Sequence, residues 1–147
     1  MKKVVMAFGA FDGIHSGHIH YLNAAKKLGD ELIVAIARDT APWKPATHFR
    51  LPEKERLDLV RRLHIADKVI LGGLTNAFQK IKRIHPDIIS ITDYHGIDPD
   101  VLQYDLKRIG LKTKVAVIRR YKPSLYDAEF RRRLREPRDL MGLKPSK

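Results

Sequence analysis

Residues 3–18 read KVVMAFGAFDGIHSGH, and the reading of this stretch decides the fold. Its first six residues, 3–8, form a nearly continuous apolar run that stops at Gly9, the pattern of a strand buried on both faces of a parallel sheet. A short loop follows, and beyond it Ile19, Leu22 and Ala25 recur at helical spacing. A strand that passes through a glycine-bounded loop straight into a helix is the opening unit of an α/β fold.

The same alternation continues outward. Apolar runs return at 31–37, 67–71, 87–92 and 113–118, and helical spacing recurs between them in Leu57, Val60 and Leu63 and in Phe78, Ile81 and Ile84. Pro52 precedes Glu53 and Glu55 in a first helical turn, and Gly29 and Gly110 stand where helices stop. Asp98-Pro99 opens a fourth helix holding Val101, Leu102 and Leu106, and Ser124 with Asp127 starts a fifth over residues 125–135. Parallel strands need right-handed helical crossovers that cover both faces, so the expected fold class is α/β: a single Rossmann-like, doubly wound, five-stranded parallel sheet. One domain is expected over residues 1–135, with a basic C-terminal tail over 136–147. Ligands in such sheets bind beyond the carboxyl ends of the strands where the strand order reverses, which directs attention to the residues after strands 1, 2 and 4. The stretch 40–52 (TAPWKPATHFRLP), with three prolines, is a long loop after strand 2 placed to cover the site.

Composition narrows the function classes. With 147 residues, 44% hydrophobic and 31% charged, the chain is large enough for one full core and too small for two ordinary domains. Mean hydropathy is -0.33, and no apolar run approaches the roughly 18 to 20 residues of a bilayer-spanning helix, so no membrane association is expected. The N-terminus turns glycine- and acid-containing before a signal-peptide core forms, and cysteine is absent; both fit a cytoplasmic protein and leave oxygen or histidine to hold any metal. The net charge is +12, of which residues 107–147 carry +10. Nucleic acid, a phosphorylated substrate or a solvated basic helix each explains that excess.

The loop after strand 1, Gly9 to His18, carries the chemistry. Two histidines three apart, His15 and His18, face one small volume at a helix N-terminus, with Gly17 between them. Read as phosphate chemistry, Gly9 lets backbone amides approach an anion, the helix start adds positive potential, and the imidazoles stabilise a charged pentavalent phosphate. Read as scaffold, the histidines are a turn residue and a helix-cap residue, with Gly17 present for packing.

At this point the chain resembles the HxGH nucleotidyltransferases, a family that includes cytidylyltransferases, phosphopantetheine and nicotinamide-mononucleotide adenylyltransferases and the archaeal-type FAD synthases. Gly9-Ala10-Phe11-Asp12 is similar to the family's G-T-F-D with Ala for Thr, and His15-Ser16-Gly17-His18 to its HxGH. Residues 28–39, Pro52-Glu53-x-x-Arg56 and 66–72 look like the small cytidylyltransferase and FAD synthase branch; Ala37-Arg38-Asp39 and residues 84–89 lean towards FAD synthase. The resemblance implies transfer of a nucleoside monophosphate from a nucleoside triphosphate to a phosphate monoester with release of pyrophosphate. It further implies a divalent cation such as Mg2+, ATP as the nucleotide with CTP as the alternative, FMN or glycerol 3-phosphate as acceptor, and a homodimer as in many relatives. His15, His18 and Lys44 would be the catalytic residues, and Gly9, Ala10, Phe11, Asp12, Gly17, Asp93, Tyr94, Arg120 and Ser124 the nucleotide-binding ones; His48 and Arg50 resemble lid residues more than ligands. No metal-ligand set is implied.

Two segments depart from the family's pattern. The turn Thr92-Asp93-Tyr94-His95-Gly96 lacks the glycine that relatives place before the acid. After strand 5, Arg119-Arg120-Tyr121-Lys122-Pro123-Ser124-Leu125-Tyr126-Asp127 replaces a hydroxyl-rich helix start, leaving Arg120 and Ser124 as the phosphate grip. Arg131, Arg132, Arg133 and Arg135 read as a solvated basic face, and His20, His64 and His85 as structural. The competing class is a nucleotide- or RNA-binding protein on the same scaffold, favoured by the basic C-terminal quarter and opposed by the lack of an RNA-reading motif.

Overall fold

The computed structural model describes residues 2–40, 49–74, 76, 78–92 and 97–119. In chain order these form β1 (Val4–Gly9), α1 (Ser16–Lys26), β2 (Glu31–Ile36), α2 (Glu53–Arg62), β3 (Lys68–Leu71), α3 (Phe78–Ile84), β4 (Ile88–Thr92), α4 (Pro99–Arg108) and β5 (Lys114–Ile118). All neighbouring strands pair in parallel, in the order β3-β2-β1-β4-β5, so the order reverses between β1 and β4. The five-stranded α/β sheet expected from the sequence is the one observed; the fifth helix and the tail fall outside the described residues.

Each buried strand divides its side chains between two cores, which is why its sequence is apolar rather than alternating. Val5, Ala7, Leu32, Val34 and Ile36 pack with Tyr21, Leu22 and Ala25 of α1 and Val60 of α2. Their sequence neighbours Met6, Ile33 and Ala35 point the other way, joining Ile89, Ile91, Ile81 of α3 and Leu106 of α4. A slip of one residue would exchange the two faces, yet both are apolar, so hydrophobicity alone sets the register weakly.

Register is set by side chains at the amino end of the sheet. Asp30, Asp67 and Asp87 stand just before β2, β3 and β4, and each accepts a backbone amide at or just before the start of a neighbouring strand: Lys3 N–H at 2.8 Å, Leu32 N–H at 2.7 Å and Val4 N–H at 2.8 Å. Lys26 pairs with Asp67 and, with the Leu32 amide, holds that carboxyl below its usual range. At the β5 edge the Gln103 side chain imitates a further strand, donating to Thr113 O at 2.8 Å and accepting from Val115 N–H at 3.0 Å.

Helix ends follow the expected chemistry. Asp98 caps α4 by accepting from Asp100 N–H at 2.9 Å, and Gly110, at φ 86°, closes it. Gly29 stands between the end of α1 and β2, and a Cβ there would lie 2.8 Å from Lys3 O and 2.8 Å from Val5 Cγ2, so the close approach of the chain entering β1 requires a glycine. His64 (φ 55°) and His85 (φ 53°) adopt the left-handed conformation just after α2 and α3, a structural employment for both.

Candidate active site

The loop between β1 and α1 folds around its histidines. His15 is the N-cap of α1, and its Nδ1 accepts from Gly17 N–H at 3.0 Å. His18, three residues on, returns the contact: its Nδ1 accepts from His15 N–H at 3.2 Å. This is a capping box in which two imidazoles replace the usual hydroxyl and carboxylate. An Nδ1 that accepts carries no hydrogen, so the network assigns both rings the tautomer with the proton on Nε2. The rings stack with centroids 3.8 Å apart, and the Phe11 ring closes on His18 at 5.2 Å. Burial, reinforced by the charge His15 would carry, lowers the His18 pKa from 6.5 to about 4, so this ring is neutral at working pH. What the arrangement offers is a pair of imidazole donors at a helix N-terminus, a seat for phosphate oxygens.

The residues before the histidines build this seat from below. Phe11 is 3% exposed and belongs to the core, so its contribution to a ligand site passes through His18 and its own backbone. It reaches that position through a left-handed turn at φ 53°. Gly9 makes room beneath it, since a Cβ there would lie 2.7 Å from Phe11 Cε2 and the ring would have to shift. Asp12 spends both carboxylate oxygens on the backbone of the returning chain, accepting Arg50 N–H and Leu51 N–H at 2.8 Å each.

A second set of contacts surrounds Arg56, which the sequence offered only as part of a branch motif. It stands one turn before Val60 on the core-facing stripe of α2, and the position of a charge on that stripe is the signal that marks it. Arg56 is fully buried. Its guanidinium donates to Ala10 O at 3.0 Å, Ala37 O at 2.8 Å, Leu51 O at 2.8 Å and Asp39 Oδ1 at 2.7 Å, and lies 4.0 Å over the Phe49 ring. Asp39 in turn accepts Glu53 N–H at 3.1 Å, taking the capping role that Pro52 cannot play for α2. Burial raises the Asp39 pKa, but the Arg56 contact, the Glu53 amide and the nearby Arg38 charge outweigh it and hold the carboxyl below its usual value. Arg56 thereby joins the histidine loop to the chain on both sides of residues 41–48.

The structure thus brings together Gly9, Ala10, Phe11, Asp12, His15, Gly17 and His18; Lys44, Asp93, Tyr94, Arg120 and Ser124 lie outside the described residues. Among the described residues no cluster of three or more histidine or carboxylate groups is positioned to hold a metal ion, and no helix is long and apolar enough to cross a membrane.

A parallel sheet of this order, with a histidine-capped helix after its first strand, matches the cytidylyltransferase-like family model over residues 6–137, and the chain belongs to that family. It is a nucleotidyltransferase by class. The chain is 38% identical over 129 residues to the FAD synthase of Thermoplasma acidophilum, covering 88% of this chain and 91% of the relative. To the FAD synthase of Methanothermobacter thermautotrophicus it is 40% identical over 129 residues, 86% and 85% of the two chains. Among solved structures, the lipopolysaccharide core biosynthesis protein of Thermoplasma volcanium superposes with a TM-score of 0.76 at 36% identity, over 83% of this chain and all of that one.

Proposed function

We propose that this protein is an FMN adenylyltransferase, joining ATP and FMN to give FAD and pyrophosphate. The observation that carries the chemistry is the histidine capping box, which presents two Nε2–H donors at the N-terminus of α1. The acceptor is supported by the 38% and 40% identity to archaeal FAD synthases over most of both chains. An FMN phosphate oxygen attacks the α-phosphorus of ATP, the new P–O bond forms, and the bond to the bridging oxygen breaks as pyrophosphate departs. No side-chain nucleophile and no histidine base is required, because the attacking oxygen is already ionised. Catalysis is alignment plus stabilisation of the charge that builds on the phosphoryl oxygens.

In this reading His15 and His18 donate to those oxygens, and Gly9, Ala10 and Gly17 shape the backbone around them. Phe11 and Asp12 act from beneath and beside the seat. Lys44, Arg120 and Ser124 hold the triphosphate, and Asp93 and Tyr94 meet the nucleoside. A divalent ion would arrive on the triphosphate as part of the substrate and neutralise its charge. The match over residues 6–137 supports a catalytic domain spanning 1–135.

Pyrophosphate release measured with Mg2+ for ATP or CTP against FMN or glycerol 3-phosphate tests the reading. Turnover with ATP plus FMN, yielding FAD, is the expected result. Turnover only with CTP overturns the nucleotide assignment, turnover with ATP only against glycerol 3-phosphate overturns the acceptor assignment, and no turnover with any pair overturns the activity.

A further inference from the structure

α4 is apolar on two sides. Leu102, Leu106 and Ile109 turn inward to the core on one face of the sheet, and Gln103 covers the outer edge of β5. Tyr104 stands two residues, about 200°, from both Leu102 and Leu106, so it points away from the sheet. It is 66% exposed. Six large apolar side chains stay exposed among the described residues; Ile97, Val101 and Tyr104 are three of them, and Arg108 continues their line. These four positions are spaced by four, three and four residues, the seam of a helix that meets another helix. A helix whose outer face meets only water carries polar residues there instead. Arg108 lies over the Tyr104 ring, 6.0 Å from its centroid, and so extends the seam with its own stem.

We propose that this seam docks α4 of a second copy of the chain, packed antiparallel about a two-fold axis that passes close to Tyr104. The charge pattern of the helix selects both the occupant and the direction. Asp98 and Asp100 begin α4, and Lys107 and Arg108 end it. Antiparallel packing lays the acidic start of each helix beside the basic end of the other, twice over, and opposes the two helix dipoles; parallel packing lays like charge beside like. A two-fold contact requires one surface to match itself, and an apolar seam with opposite charges at its two ends does so. Among the described residues Asp100 has no ion pair, and Arg108 meets Asp105 only at 3.8 Å with 67% of its side chain exposed, which leaves both for the second copy. Val101 and Tyr104 of the two copies fill the centre, with the tyrosines as anchors. Ten residues of helix make a contact about 15 Å long, so the dimer is of the weak, micromolar kind. This surface is independent of the reaction the protein catalyses.

Sedimentation equilibrium of the full chain tests the docking surface. The wild type should pass from monomer to dimer between about 1 μM and about 1 mM. Tyr104→Ser should weaken association about a hundred-fold, because each dimer loses two anchors, and should leave the melting temperature of the dilute monomer unchanged. Asp100→Lys, and separately Lys107→Glu with Arg108→Glu, should each associate far more weakly than the wild type, since like charges then face each other. Mixed in equal amounts, these two variants should restore the dimer, because each supplies the charge that the other lacks. A wild type that stays monomeric overturns the proposal; if Tyr104→Ser then also lowers its melting temperature, the seam is covered by another segment of the same chain. A dimer indifferent to Tyr104→Ser places the interface elsewhere and overturns the proposal too. Charge variants that dimerise as well as the wild type, or a mixture that fails to restore association, overturn the antiparallel pairing and the proposal with it.

Discussion

Lowering the pH should dismantle the histidine capping box from within. The unfolded chain protonates His18 near 6.5 and the native protein only near about 4. Between those values the unfolded state binds more protons, so native stability falls as pH falls; the contribution is complete above about 6.5 and gone below about 4. The difference in pKa amounts to about 3 kcal/mol. It arises because burial penalises the charged ring of His18, with the charge that the stacked His15 imidazole would carry adding to the effect. Urea unfolding of the wild type and of His18→Asn over pH 4 to 8 isolates the effect, since Asn offers Oδ1 to the His15 N–H and does not titrate. The wild type should lose about 3 kcal/mol more than the variant on descending that range. Turnover of the wild type should stay flat with respect to this group from pH 6 to 8, while His18→Asn loses orders of magnitude at every pH. A difference curve flat between pH 4 and 6.5, or a ring 15N spectrum placing the neutral proton on Nδ1, would refute the reasoning.

Arg56→Lys keeps a charge but cannot span Ala10 O, Ala37 O, Leu51 O and Asp39 together, and should cost about 3 kcal/mol, read by calorimetry as a melting point about 10 °C lower. Gly9→Ala forces a Cβ against the Phe11 ring and should cost about 2 kcal/mol, with part of the loss recovered when Phe11→Leu is added; strict additivity in that double-mutant cycle would show that the two side chains do not compete for the space.

The pattern of the chain revealed its histidine loop, but not how that loop works. Scaffold and phosphate chemistry were competing readings of His15 and His18; in the folded chain the capping contacts are what orient the rings as donors. Local backbone geometry dictates this, yet the rotamers depend on Phe11 closing from the core. Asp12 stands in the motif as a candidate nucleotide contact, and the fold adds that its carboxylate accepts two amides 38 and 39 residues away. No periodicity in a single sequence reports a contact of that kind.

The sequence by itself determined the alternation of strand and helix, the doubly apolar strands that demand cover on both faces, and the position of the histidines between β1 and α1. These are local properties, set by side-chain spacing and by the residues that begin and end helices. Only the tertiary structure decided what Arg56 and Tyr21 do. A buried guanidinium must satisfy its donors on whatever carbonyls the packed chain brings near it, and a buried phenol must find its partners in the sheet it packs against. Those partners lie 5 to 46 residues away for Arg56 and 13 to 69 residues away for Tyr21, so their roles exist only once β1, β2, β4 and α2 have been brought together.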